Sequence, residues 1–148
     1  MPIHIFGYGS LMNQASRHRT FVELESVENV VLKGYQRILN ASHDSYDYVA
    51  MNLIENAATS VKGHVFLVSD KEFLALEERE VGYDLVDISA QISAQLPEPV
   101  FAFVMSEPNI TGKLLCQRYL KTCLAAVPQH EQDIWLTETI IPPEITQK

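Results

Sequence analysis

Ile3-His4-Ile5-Phe6-Gly7-Tyr8-Gly9-Ser10-Leu11 is the segment on which the architecture turns. Residues 3–8 make an apolar run of strand length, and Gly7-Tyr8-Gly9-Ser10 ends it before a polar stretch that predicts a helix over 11–19. Two glycines flanking an aromatic, between a strand and a helix, can turn consecutive backbone N–H groups toward one point. Such a nest binds an anion or a developing oxyanion. The same residues equally suit a tight strand-to-helix turn with no chemistry, and both readings are open at this point. The turn is not a dinucleotide fingerprint, because Met12 stands where the third glycine belongs. It is not a nucleophile elbow either, since Ser10 lacks the G-x-S-x-G frame.

Outward from this turn the chain alternates strand and helix signals without repeating. Residues 27–38 read as strands broken at Lys33-Gly34-Tyr35, and residues 46–54 and 61–68 as further strands. Ser69-Asp70-Lys71-Glu72 is a capping box opening a helix to about Glu80, which Gly82 stops. Strands over 83–89 and 99–105 follow, then a longer helix over 112–126. The tail over 135–148, with Pro142-Pro143, reads as a short strand followed by a loose end. Many strands and few helices in this order predict one α+β domain over 1–148, a closed or half-closed barrel with helices outside.

The helix ending at Glu80 holds the second place of chemical interest. At about 100° per residue, Phe73, Leu76 and Glu80 share one stripe, with Glu77 at its edge and Glu78 and Arg79 pointing elsewhere. Glu80 therefore occupies a position where an apolar residue is expected. A carboxyl tucked against a core has its pKa raised by desolvation, and Glu77 one turn back would raise it further. Such a group is suited to proton transfer near neutral pH. The alternative is an ordinary acidic helix end with Glu80 and Arg79 in solvent.

Composition removes whole classes of function. The 148 residues are 47% hydrophobic and 20% charged, the balance of a globular domain with a core. Eleven Lys and Arg against nineteen Asp and Glu give a net charge of −8, which argues against nucleic acid and anionic membrane as partners. No apolar run approaches the length of a membrane span, and the start carries no signal-peptide pattern. Cys116 and Cys123 are read on one helix, too far apart to bridge, as buried thiols of a reducing, cytoplasmic compartment. His4, His18, His43, His64 and His130 are scattered without ligand spacing, so no metal and no cofactor is expected. Trp135 reads as a core or edge-strand anchor, and Tyr83 as lining a cavity or simply packed.

Phe6-Gly7-Tyr8-Gly9-Ser10-Leu11, Lys33-Gly34-Tyr35-Gln36-Arg37, Val61-Lys62-Gly63-His64-Val65-Phe66 and Leu76-Glu77-Glu78-Arg79-Glu80 with Gly82-Tyr83 together resemble the γ-glutamylcyclotransferase-like superfamily. Its members include γ-glutamylcyclotransferases, ChaC-like enzymes, γ-glutamylamine cyclotransferases and AIG2-like proteins. The stretch Arg118-Tyr119-Leu120 is similar to the family's late helix, and five of the six glycines lie in the matching segments. The resemblance implies a small mixed β-barrel flanked by helices and a cofactor-independent release of 5-oxoproline from a small γ-glutamyl compound. It assigns Glu80 as the catalytic acid/base and Tyr8, Gly9, Ser10 and Leu11 as the substrate-binding loop, with Tyr83 a candidate neighbour. A non-catalytic ligand-binding or regulatory member of the same fold is the alternative, and a structural domain with a plain glycine turn the third. Two segments depart from the family pattern. Glu77 replaces the usual Asp before the catalytic glutamate, and Phe101 and Phe103 stand where a tyrosine is common.

Overall fold

In a computed structural model of the chain, residues 2–20, 24–97 and 99–147 are described; Met1, Glu98 and Lys148 of the sequence reading lie outside them. β1 (Ile3–Gly7) is the central strand. It pairs antiparallel with β3 (Ala50–Val68) and parallel with β5 (Val100–Val104), in a five-stranded mixed sheet of order β2-β3-β1-β5-β4. β2 is Ser26–Ala41 and β4 is Asp84–Asp87. A strand covered on both faces reads as a near-continuous apolar run. The alternation of β1 sends Ile5 into one core cluster, with Leu11, Phe66, Leu76 and Phe103. It sends Phe6 into the other, with Leu39, Met51, Leu120 and Trp135.

The architecture is α+β, but the barrel does not close. The edge strands β2 and β4 are not paired with each other. Among the described residues a single bridge, Leu32 to Ile92, with Ser93 N donating to Val31 O at 2.9 Å, ties β2 to the segment just beyond β4. The break read at Lys33-Gly34-Tyr35 is a bulge inside one strand. Pairing steps from Lys33–Ser60 to Tyr35–Glu55, and Gly34 takes a φ of +84° that other residues rarely adopt. The strands read separately over 46–54 and 61–68 are correspondingly one strand from Ala50. Its excursion is held by Thr59 Oγ1 donating to Tyr35 O at 2.8 Å.

The helices hold the larger corrections. The helix expected over 11–19 is a 3-10 turn, Ser10–Met12, followed by the short α1 (Gln14–Arg17). Asn13 separates them by accepting the Ser16 amide as an N-cap at 3.0 Å. α2 (Asp70–Arg79) starts at the expected capping box, with Ser69 and Glu72 bonded in both directions. The helix expected over 112–126 begins late, as α3 (Gln117–Leu124). Ahead of it Gly112 turns the chain at φ +74°, and β6 (Leu114–Leu115) engages the backbone at Asp47 and Val49. Apolar periodicity could not separate this short strand from a helix start. Cys116 is therefore the N-cap of α3 and only partly buried, while Cys123 is fully buried; both thiols are free.

The tail differs from the expected strand and loose end. Trp135 lies in α4 (Gln132–Thr137), 6% exposed, with the Arg37 guanidinium 4.5 Å from its ring centre. Ile145 is buried, and β7 (Thr146–Gln147) pairs in parallel with β6. Among the described residues no helix is long and apolar enough to cross a membrane.

Candidate active site

β1 ends at Gly7 in the middle of the sheet, so the chain leaving it must turn over the sheet's end. Tyr8 and Leu11 are buried, and the turn closes with Met12 N donating to Gly9 O at 3.1 Å and Asn13 N to Ser10 O at 3.0 Å. The amides of Ser10 and Leu11 open this 3-10 turn and so have no acceptor within it. Gly9 is required by proximity rather than by handedness, its φ being −130°. A Cβ there would sit 2.9 Å from Met51 Cβ and 3.2 Å from the Tyr119 hydroxyl.

Glu80 reaches the same place from the other side. It caps the C-terminus of α2, its amide donating to Leu76 O at 2.9 Å, and it continues the helix face on which Leu76 is 1% exposed. Its side chain keeps 19% exposure. Tyr8, Gly9, Ser10, Leu11, Tyr83 and Glu80, every residue the sequence reading assigned to the site, line one inner cavity of about 40 Å³. Ser10, Glu80, Tyr83 and Tyr119 also line a wider cleft of about 810 Å³. Tyr46 and Tyr48, stacked at 4.5 Å between ring centres, and Tyr119, 5.9 Å from Tyr48, form a ring-lined wall of that cleft.

Burial pushes the Glu80 carboxyl above the usual carboxylate pKa, and the Arg79 charge pulls it back only in part. Glu77, which the sequence suggested as a contributor, is exposed and lies outside the lining. Between the unfolded and folded pKa values the folded chain holds a proton the unfolded chain has lost. Stability therefore falls as pH rises through that window and stays lower above it. Glu80→Gln is accordingly expected to be more stable than wild type at pH 7, with the difference closing as pH falls through the raised pKa. Denaturant titrations at several pH values check this.

Arg79 was missed. Periodicity pointed it away from the stripe, yet its side chain is 17% exposed and folds back across α1. Its Nη1 donates to Ser16 O at 2.9 Å, its Nη2 to Ser16 Oγ at 2.8 Å and to Ser10 Oγ at 3.4 Å. Its Nε lies 4.0 Å from Glu80 Oε1. One guanidinium thus ties the Ser10 turn, α1 and the end of α2 together; its hydrogen-bond acceptors lie 59 to 69 residues away in sequence, beyond any local pattern. Tyr119 was noticed only inside a resembling stretch, but its hydroxyl accepts the Met51 amide at 2.9 Å. Tyr83 donates to Met51 O at 2.8 Å, and Tyr8 donates to Phe103 O. Burial raises the pKa of all three phenols well above 10. Phe103, at a position where a tyrosine was noted as common, lines the cavity as an apolar wall and contributes its carbonyl.

Comparison with known proteins bears on the fold and the family. A family model described as gamma-glutamyl cyclotransferase, AIG2-like, matches residues 5–122. A solved gamma-glutamyl cyclotransferase superposes with a TM-score of 0.77 at 15% identity, over 100% of this chain and 93% of its own. A human protein, loc79017, superposes with a TM-score of 0.75 at 15% identity, over 99% and 92%. A yeast gamma-glutamyl cyclotransferase specific to glutathione gives 0.51 at 11% identity, over 93% and 89%. No curated protein matches the sequence. Likeness at such identities establishes the fold, and the family model extends over most of the chain: the chain belongs to the gamma-glutamyl cyclotransferase, AIG2-like family.

Proposed function

We propose that the chain is an enzyme releasing 5-oxoproline and a free amine or amino acid from a small γ-glutamyl compound, with Glu80 as its acid/base. The observation that carries this reading is that a mostly buried carboxyl, its pKa raised, lines the same cavity as Ser10 and Leu11, the residues that open the 3-10 turn. The nucleophile is supplied by the substrate. Its α-amine reaches its own γ-carbonyl and closes a five-membered ring, so the step profits from intramolecular proximity. A C–N bond forms to the ring nitrogen, and the C–N bond to the leaving amine breaks. The α-ammonium gives up two protons in all and the leaving nitrogen collects two, each passing through Glu80 in turn. The amides of Ser10 and Leu11 face the oxyanion of the tetrahedral intermediate.

Size sets where this takes place. The inner cavity, of about 40 Å³, has room for a few waters but not for a whole γ-glutamyl group. The γ-carbonyl therefore sits at its mouth, where Ser10, Glu80, Tyr83 and Tyr119 face both spaces, and the leaving group lies along the tyrosine wall of the cleft. Arg19 and Arg118 in that cleft supply positive charge for a substrate carboxylate. Incubation with a panel of γ-glutamyl amino acids, glutathione and γ-glutamylamines, followed by quantification of 5-oxoproline, tests the reading. Release from at least one class is the expected outcome, and no release from any of them overturns it.

A further inference from the structure

A second cavity, of about 250 Å³, lies between the β2–β3 hairpin and α4 and shares no lining residue with the Glu80 cleft. Val31, Val127, Ile134 and Trp135 give it an apolar wall, and Arg37 and Lys62 bring positive charge. Arg37 is only 4% exposed. Its Nε donates to Thr139 Oγ1 at 3.0 Å and its Nη2 to Trp135 O at 3.1 Å, while Trp135 covers one face of the guanidinium. Nη1 makes no hydrogen bond among the described residues, and Arg37 lines the cavity.

Among the described residues no carboxylate lies within 4 Å of this buried cation. Lys62, in contrast, is paired with Glu131 at 2.9 Å, so those two charges cancel. Glu138 acts on Arg37 only from a distance, and burial outweighs it, lowering the Arg37 pKa to about 10. A buried charge without a counter-ion is costly, and a cavity beside it is where a counter-ion would fit. The ligand must bring one negative charge, since Lys62 is already paired with Glu131 and a second charge would face Glu138 with no cation to match it. It must also bring an apolar chain for the Val31–Trp135 wall.

We propose that this cavity binds a small monocarboxylate with an apolar tail, its carboxylate on Arg37 Nη1 and its tail against Trp135. The site is separate from Glu80 and does not rest on the enzymatic reading. Trp135 is the sole tryptophan of the chain, so its fluorescence reports directly on occupancy. Titration of the full chain with sodium butanoate should give a saturable change with a Kd of about 1 mM or tighter, unaltered in Glu80→Gln. Butan-1-ol and sodium chloride at equal concentration should give none. Arg37→Gln should weaken butanoate by about tenfold or more, as expected for loss of a charge-assisted bond.

Arg37 also anchors α4, so a second variant leaves it in place. Ile134, 60% exposed, tolerates Ile134→Asp, which sets a like charge in the wall and should weaken butanoate to a similar degree. An unsaturable or absent response in wild type overturns the proposal. So does an equal response to butan-1-ol, or wild-type affinity in folded Arg37→Gln or in Ile134→Asp.

Discussion

Glu80→Gln is expected to lose 5-oxoproline release by about 10²-fold or more while keeping the wild-type fold. The amide fills the same space and keeps a hydrogen-bonding group at the mouth of the inner cavity, but it can neither accept nor return a proton. The loss should fall on kcat rather than on KM, because the cleft wall of Tyr46, Tyr48 and Tyr119 and the Ser10 turn are untouched. The same variant gains stability at neutral pH, since the charge that burial penalises is gone. Loss of turnover together with a gain in stability separates a catalytic carboxyl from a structural one, whose removal costs both. Turnover retained in a variant that melts above wild type would remove Glu80 from the mechanism.

The second large effect is structural and lies where β3 crosses β1. Gly63 pairs with β2 opposite Val30 and is buried. A Cβ there would collide with the Gly7 carbonyl oxygen and come within 2.7 Å of Phe6 Cζ and 2.9 Å of Cε1. The first obstacle is backbone, so relief requires β1 to move. Gly63→Ala should therefore cost at least about 3 kcal/mol, the upper range for overpacking a core. That corresponds to a fall in Tm of about 10 °C for a chain of this size. Because β1 leads directly into Tyr8 and Gly9, any folded fraction should also be impaired in turnover. Thermal unfolding checks the first part, and a wild-type Tm would contradict the packing of β1 on β3.

These two positions also show how much was legible beforehand. Glu80 stands out in the sequence as a charge on an apolar stripe, and Gly63 lies in the run over 61–68 that reads as a strand and in one of the segments that carry the family resemblance. Each signal is local, and each has a local physical cause, close backbone approach or the helical period. The same holds for the capping box of α2 and for β1. What was not legible depends on partners far along the chain. Arg79 turns inward because Ser16 and Ser10 wait on a different element, and Trp135 sits in a helix because Arg37 and the β2 face lie above it. Leu114–Leu115 became a strand because the backbone near Asp47 and Val49 offered it bonds. Apolar pairs and isolated aromatics carry no period long enough to reveal such choices. The barrel expected from the resemblance stayed open for a similar reason: among the described residues β2 meets the segment following β4 through a bridge at Ile92 and the tail through a bridge at Ile140, and it does not pair with β4 itself.

Ring closure by the substrate's own amine, with Glu80 moving the protons, consumes no water. Turnover of a γ-glutamyl compound in ¹⁸O-water, with the products weighed by mass spectrometry, tests this most directly. The expected result is 5-oxoproline and free amine with no ¹⁸O in either. Glutamate carrying ¹⁸O in its γ-carboxyl would identify hydrolysis by an activated water and contradict the cyclisation.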